Sequence, residues 1–171
     1  MYRMVEEAEL NGHAGIEKLE STFSNIAISY AKYPRVDFRF DYNEPERSAN
    51  EVLPRILPES FPANQESSVS VTTVCGGITN KLFRCEIFPD KNGKSKSRVV
   101  LVRVFGAEGL IDREIETMQF LALSQANLGP PYYGRFSNGR VEGFYEGCRT
   151  LTPIDLSVPE LSCKIAVQMA K

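Results

Sequence analysis

Residues 74–88, VCGGITNKLFRCEIF, place two adjacent glycines between two segments with the composition of β-strands. The β-branched residues of VSVTTV predict the first strand, and KLFRCEIF is predicted as the second. Glycine has no Cβ, so the main chain can approach a ligand closely, and successive N–H groups can bind an anion. Thr79 and Asn80 add short polar side chains, and Lys81 adds a positive charge. The pattern predicts either an ordinary hairpin or an anion-binding loop, and taken alone it favours the hairpin.

This segment differs from two common phosphate-binding motifs. It lacks the G-x-x-x-x-G-K-[ST] pattern of P-loops and the G-x-G-x-x-G pattern of dinucleotide sites. The element that follows the glycines is a predicted strand, whereas both motifs lead into a helix. Any phosphate binding here must therefore follow a different geometry.

After residue 88 the chain continues with further strands and two helices. RVVLVRVFG (98–106) is predicted as a third strand, GLIDREIETMQFLALSQANLG (109–129) as a helix, and PYYGRFSNGRVEGFYEG (131–147) as two more strands. A second helix follows Pro159. The apolar residues of the two helices form the stripes Ile111, Ile115, Met118, Ala122 and Leu161, Ile165, Met169. The order β-β-β-α-β-β-α predicts an α+β lobe, in which one helix packs on an antiparallel sheet.

The first 68 residues show a weaker pattern. Residues 36–68 carry four prolines and many turn-forming residues, so we predict a linker or a lid-like extension. SANEVLPRIL predicts a short helix there, with Ser48 and Glu51 as a capping box and with its length limited by Pro54 and Pro58. Residues 1–35 are polar and weakly periodic, and we expect a segment that can be disordered.

Composition excludes several classes of protein. The 171 residues have a net charge of −2, which does not favour nucleic acid or an anionic membrane as partner. No apolar run is long enough to span a bilayer, and the N-terminus lacks the apolar core of a secretory signal. The four cysteines show no C-x-x-C spacing and are expected to be reduced thiols of a cytoplasmic protein. His13 is the one histidine, so zinc sites built on paired histidines are excluded.

Arg103 interrupts the apolar third strand, and a charge there is costly unless it faces solvent or has a partner. The following helix offers Asp112, Glu114 and Glu116 as partners. A glycine loop, then a strand cation, then a helix carboxylate is the order found in the nucleotide-binding half of kinase-like folds. We therefore predict that Arg103 pairs with Glu116, with Glu114 as the alternative.

Five ordered motifs, GGITNKLFRC, VLVRVFG, IDREIE, LGPPYYGRFSNGRVEGF and LTPIDL…IAVQMAK, resemble those of choline/ethanolamine kinases over about residues 36–171. The forms GGITN and IDRE favour the ethanolamine branch. The resemblance implies a kinase-like N-terminal lobe with a five-stranded antiparallel sheet and one packed helix. It also implies an N-terminal extension and a C-terminal helix that leads to a missing lobe.

The sequence pattern and the resemblance together predict four segments along the chain. We expect a polar segment over 1–35, a proline-rich extension over 36–68, the lobe with the ATP-phosphate loop over 69–149, and the start of the connection to a second lobe over 150–171.

The same resemblance assigns the ATP-binding residues. They are Gly76, Gly77, Ile78, Thr79, Asn80, Lys81 and Leu82 of the phosphate loop, Arg103 and Glu116, and Gly143, Phe144, Tyr145, Glu146, Gly147, Cys148 and Arg149 of a hinge that holds adenine. Ile78, Thr79 and Asn80 are also assigned to the substrate side. Arginine can replace the usual strand lysine because its planar fork can bind phosphate and carboxylate together.

The implied reaction transfers the γ-phosphoryl group of ATP to the hydroxyl of ethanolamine or choline, with Mg²⁺, in phospholipid biosynthesis. The family's catalytic loop, H-x-D-x-x-x-x-N, and its metal-binding aspartate are expected beyond Lys171, so we assign no catalytic or metal residue to this chain. We expect the chain alone to be inactive, and the resemblance implies that the full-length relative can form a homodimer. The alternatives are a non-catalytic lobe that binds a nucleotide or a partner, and a lobe of an aminoglycoside-type phosphotransferase.

Overall fold

A mixed sheet of six strands forms the centre of a computed structural model that describes residues 24–63, 66–74, 79–90, 96–106, 109 and 111–170. The strands are β1 (Arg35–Val36), β2 (Ser68–Val74), β3 (Asn80–Phe88), β4 (Arg98–Phe105), β5 (Tyr132–Phe136) and β6 (Gly139–Gly143). The described helical segments are α1 (24–32), α2 (Pro45–Ile56), α3 (Arg113–Gln125), α4 (Pro153–Leu156) and α5 (Pro159–Met169). A 3₁₀ turn, Pro58–Ser60, follows α2.

The strand order in the sheet is β1-β5-β6-β4-β3-β2. Strands β2 to β6 pair in antiparallel fashion, which confirms the predicted α+β fold class and its five antiparallel strands. The sixth strand, β1, was not predicted, and it pairs in parallel with β5. A strand of two residues is too short to give a periodic pattern in the sequence, and no turn signal marks it.

Side chains alternate between two different faces of this sheet. One face is apolar and forms the main core; we call it the packed face. Its buried residues on the central strands are Phe83, Cys85, Ile87, Val100, Val102, Val104 and Val141. The other face carries ionic side chains and is called the charged face; it includes Arg84, Arg103, Arg140 and Glu142.

Helix α2 packs on the packed face and is part of the main core. Ala49, Val52 and Leu53 are completely buried against it. The predicted capping box is wrong, because the helix begins at Pro45, before Ser48. Ser48 instead lies buried inside the helix, where its hydroxyl accepts a hydrogen bond from the Asp41 N–H at 3.0 Å. Pro54 lies within α2 and does not end it.

Helix α3 lies over the charged face near β5 and β6. Asp112 caps it by accepting bonds from the N–H groups of Glu114 and Ile115. Its buried residues are Thr117 and Leu121, so the predicted apolar stripe is not the face that packs on the sheet. Ile115 is about half exposed and lines a groove between α1 and α3. The more polar side of α3 faces the sheet, because the side chains of the charged face are ionic.

The chain termini of the described region are helical. Residues 24–32 form α1, with Tyr30 buried against α3, which differs from the disorder allowed for residues 1–35; residues 1–23 lie outside the described part. Helix α5 buries no residue, and Val167 and Met169 are exposed. Within the described residues, no helix is both long enough and apolar enough to cross a membrane.

Candidate nucleotide-binding site

Arg103 lies at the centre of the charged face. In the strand register it is opposite Leu82 of β3 on one side and Arg140 of β6 on the other. Leu82 is the last residue of the predicted phosphate loop, so the antiparallel pairing brings Arg103 beside that loop. The neighbouring residues Val102 and Val104 point to the packed face and anchor the strand in the core.

The carboxylate that holds Arg103 belongs to Glu142 on β6. Arg103 Nη2 donates to Glu142 Oε1 at 2.7 Å, and Nε donates to Oε1 and Oε2 at 3.2 and 3.3 Å. The side chain of Glu142 is 1% exposed, whereas that of Arg103 is 23% exposed. The prediction that Arg103 pairs with Glu116 is therefore wrong, and the alternative partner Glu114 is also wrong. Glu114 accepts a bond from the Tyr30 hydroxyl at 2.7 Å.

Glu116 is nevertheless connected to Arg103, through Arg140. Arg140 Nε donates to Glu142 Oε2 at 2.8 Å, and its Nη1 donates to Glu116 Oε1 at 3.4 Å. Arg113 Nη1 then donates to Glu116 Oε2 at 2.6 Å. We call this series of five side chains, Arg103–Glu142–Arg140–Glu116–Arg113, the ionic relay. It contains three guanidinium groups and two carboxylates, so its net charge is +1.

Aromatic rings and a main-chain contact hold the relay in place. The Arg140 guanidinium lies 4.3 Å from the Phe120 ring centroid, and that of Arg113 lies 4.9 Å from the Phe105 centroid. Arg113 also donates to the carbonyl of Gly106 at the end of β4. Burial acts to raise the pKa of Glu116, but the hydrogen bond from Arg113 and the charge of Arg140 outweigh it and lower that pKa. Glu116 is therefore ionised at neutral pH.

The predicted phosphate loop is described only at its C-terminal end. Gly76, Gly77 and Ile78 lie outside the described residues, whereas Thr79, Asn80, Lys81 and Leu82 are included. Thr79 contacts Gly106 so closely that a Cβ on that glycine would lie 2.2 Å from the Thr79 carbonyl oxygen. The contact requires glycine, and it ties the end of the loop to the end of β4.

Lys81 and Asn80 make further contacts near this point. The Lys81 ammonium lies 3.5 Å from the centroid of the Tyr42 ring, which belongs to the segment before α2. The Gly106 N–H donates to Asn80 Oδ1 at 3.4 Å. Both contacts connect the loop to its surroundings.

The predicted hinge follows β6 at the opposite end of the charged face. Gly143 pairs with Val100, and Gly147 has a φ of +71°, which glycine adopts without steric cost. Phe144 is partly buried, whereas Tyr145, Glu146, Cys148 and Arg149 are exposed. Within the described region, residues 145–149 take part in no backbone–backbone hydrogen bond, so their amide groups remain available to a ligand.

Two ion pairs fix the ends of this hinge. Arg84 on the charged face donates to Glu146 at 2.8 Å. Arg149 donates to both carboxylate oxygens of Asp155, at 2.6 and 2.7 Å, and these bonds lower the pKa of Asp155. The Thr152 amide donates to the Asp155 carboxylate and the Thr152 hydroxyl accepts from the Asp155 N–H, which completes a capping box at the start of α4. The hinge thus connects the sheet directly to the C-terminal helices.

Glu142 and Arg140 were not predicted from the sequence. A signal for them was present, because GRVEG places an arginine and a glutamate two residues apart in a predicted strand. Residues at this spacing lie on the same face of a strand, and they are costly to bury unless they pair. Their register with Arg103 is set by the pairing of β6 with β4, a long-range pairing that no local pattern indicates.

The fold is that of a kinase-like N-terminal lobe, and comparison with known proteins gives the family. A sequence model of choline/ethanolamine kinases matches residues 71–171, so the chain belongs to this family. A crystal structure of choline kinase from Cryptosporidium parvum is similar with a TM-score of 0.52 and 27% sequence identity, covering 70% of this chain and 33% of that one.

Two relatives from Arabidopsis thaliana carry different names at the same level of identity. A probable choline kinase 2 is 38% identical over 125 residues, which are 72% of this chain and 35% of the relative. A probable ethanolamine kinase is 38% identical over 128 residues, which are 70% of this chain and 33% of the relative. The chain thus spans about a third of the length of these relatives, and overall identity does not separate the two branches.

Proposed function

We propose that this chain provides the ATP-binding lobe of an ethanolamine or choline kinase. The reaction would transfer the γ-phosphoryl group of ATP to the hydroxyl group of the amino alcohol, as a step of phospholipid head-group synthesis. The ethanolamine branch is favoured by the forms GGITN and IDRE in this sequence. Family membership and the geometry around Arg103 support the proposal.

The observation that carries the proposal is the orientation of Arg103. Its Nε and Nη2 are held by the buried carboxylate of Glu142, and the described residues supply no hydrogen-bond partner for Nη1. A guanidinium has five donors, so the unpaired edge can bind a phosphate oxygen while the other edge stays fixed. The partial exposure of the side chain gives a ligand access to that edge.

The charge of the relay suits an anionic ligand. Glu142 and Glu116 compensate two of its three guanidinium groups, and the remaining positive charge can attract a triphosphate. In phosphoryl transfer the protein mainly positions groups and neutralises charge, so a fixed arginine contributes without rearrangement.

The hinge offers the second part of a nucleotide site. Gly143 lies opposite Val100, and Arg103 follows three residues later on β4, which corresponds to about 10 Å along a strand. We infer that adenine binds the free amide groups after Gly143 while the phosphates reach Arg103. Gly76, Gly77, Ile78, Thr79 and Asn80 are the residues that the family resemblance assigns to the phosphates.

The described residues do not form a site for magnesium. Among them, no group of three or more histidine, cysteine, aspartate or glutamate side chains lies close enough to hold a metal ion. We therefore assign no magnesium ligand to this part of the chain and derive no step of the reaction through the metal.

Nucleotide binding by the 171-residue chain tests the proposal. A fluorescent ATP analogue would be titrated into the wild-type chain and the Arg103→Met and Arg98→Met variants, and then displaced with ATP. Arg98 is the matched control, because it is a partly exposed arginine on the same strand that bonds to Glu59 and Ser60 away from the charged face. Arg103→Met should weaken binding roughly tenfold or more, since a hydrogen bond to a charged group contributes about 1.5–3 kcal/mol.

The Arg98→Met control distinguishes loss of a phosphate contact from a general effect of removing an arginine. Arg98→Met should bind the analogue as the wild type does. No ATP-competable binding by the wild-type chain, or equal losses in the two variants, would reject the proposal.

A further inference from the structure

We propose that Glu142 and Arg140 are positioning residues for ATP, and that α3 acts on Arg103 only through them. This inference rests on the proposed function and adds residues that the family resemblance did not assign. A direct pair between a strand cation and a helix carboxylate, as the sequence predicted, would let the helix hold the cation itself. Here the strand cation is held by a carboxylate of the same sheet.

Glu142 is built to fix a guanidinium. Its side chain is almost completely buried, and both of its oxygens accept bonds from Arg103 and Arg140. An ionised carboxylate at such a depth needs these partners, because desolvation without them would be very costly. Since Glu142 and Arg103 lie on strands separated by no other strand, sheet hydrogen bonding keeps their distance constant.

Arg140 connects this pair to α3. Its two bonds have unequal lengths, 2.8 Å to Glu142 and 3.4 Å to Glu116. The longer bond joins the sheet to the helix, and the side chain of Glu116 is more exposed than that of Glu142. The bond from Arg140 to Glu116 is therefore the weakest connection in the relay. A shift of α3 would break it first and would change how Arg140 and Arg103 share Glu142.

Positioning and simple electrostatics predict opposite results for two variants. Glu142→Gln and Glu116→Gln each remove a negative charge close to the proposed phosphate site. If these carboxylates acted only by charge, both variants would bind ATP more tightly. If they position Arg103, both variants bind ATP more weakly although the site has become more positive.

The first measurement is ATP binding by the full 171-residue chain, at a temperature where circular dichroism shows each variant folded. We expect Glu142→Gln to weaken binding roughly tenfold, and Glu116→Gln about threefold because its link is long and partly exposed. Arg140→Lys keeps the charge but loses the second donating edge, and it should also weaken binding. Glu114→Gln is the control, since Glu114 is on the same helix but bonds to Tyr30 and should leave affinity unchanged.

The second measurement does not need ATP. The Nε–H resonance of Arg103, assigned by its loss in Arg103→Lys, reports the bond to Glu142 through its rate of hydrogen exchange. Glu142→Gln should raise this rate roughly tenfold and Glu116→Gln should raise it less, because a charge-assisted bond is lost directly or loosened. Glu114→Gln should leave the rate unchanged.

The two measurements separate the possible failures. A wild-type chain that binds no ATP would reject the proposed function, and the exchange rates would still decide whether the relay exists. Unchanged or tighter ATP binding in Glu142→Gln or Glu116→Gln would overturn the positioning role. If the exchange rate of the Arg103 Nε–H is the same in Glu116→Gln as in the wild type, the connection to α3 is overturned. If Glu142→Gln does not fold, Glu116→Gln and Arg140→Lys decide the question alone.

Discussion

Replacing Leu53 by alanine tests whether α2 belongs to the core of the lobe or is part of a linker. Leu53 is completely buried, as are Ala49 and Val52 beside it, and all three contact the packed face. Removing a fully buried leucine side chain costs about 2–5 kcal/mol, because apolar contacts are lost and a cavity remains. Domains have only about 5–15 kcal/mol of stability, so this loss would be a large fraction of the total.

Native-state amide hydrogen exchange is the appropriate assay, because it reports stability without requiring a sharp unfolding transition. The amides of β3 and β4 are the probes, since both strands are paired on both sides. A loss of at least about 2 kcal/mol should accelerate their exchange at least roughly 30-fold, given that about 1.4 kcal/mol corresponds to a factor of ten.

Glu51→Ala is the matched control on the same helix. Glu51 is 43% exposed and pairs with Arg55 at 3.1 Å, and such a surface pair contributes about 0.5 kcal/mol or less. Its removal should change the exchange of β3 and β4 no more than about twofold. If Leu53→Ala and Glu51→Ala accelerate exchange equally, α2 does not stabilise the sheet, and residues 36–68 are a linker after all.

Three further predictions concern activity, association and pH. The chain alone, with ATP, Mg²⁺ and ethanolamine, should form no phosphoethanolamine above a blank, because H-x-D-x-x-x-x-N is absent from its 171 residues; turnover that persists through repurification would contradict this. The exposed apolar residues Ile154, Val167 and Met169 should make the chain self-associate, and Val167→Ser with Met169→Ser should raise the monomer fraction in size-exclusion chromatography. A wild-type chain that is monomeric and unfolds sharply would disprove that expectation. The contribution of Glu116 to the free energy of unfolding should be fully present above the ordinary glutamate pKa near 4.5 and should be lost as the pH drops through the lowered pKa of Glu116. Glu116→Gln should reduce this fall, and an identical pH profile in the variant would show that the relay is not formed.

Most of the sheet could be predicted because its strands have strong local signals. The glycine pair, the Asn-Gly turn at Asn138 and the apolar runs of β2 to β4 identify strands and turns without tertiary information. The helix α3 was also predicted, over residues 109–129, whereas it spans Arg113–Gln125 with Asp112 as its N-cap. Its buried side was not, since Arg140, the partner of Glu116 on the sheet, lies on β6, 24 residues away.

The need of Arg103 for an ionic partner was predicted, but the partner itself was not. Arg103 was singled out correctly as a charge that needs a partner, yet the partner was sought on the next helix by analogy with kinase-like folds. The strand register determines which carboxylate pairs with Arg103, because it places Glu142 opposite Leu101 and next to Arg103 on one face. Register is a long-range property, so the sequence alone left the choice of carboxylate open.

The short strand β1 also covers the edge of the sheet that β5 would otherwise form. Arg135 N–H donates to the Pro34 carbonyl at 3.0 Å, and Ser137 N–H donates to the Phe38 carbonyl at 3.0 Å. These bonds occupy the outward-facing amides of β5, which would otherwise be an open template for strands of other molecules. Residues 34–38 therefore protect the molecule from β-strand addition at this edge, and a protein cleaved after Phe38 would present β5 to any chain able to extend the sheet.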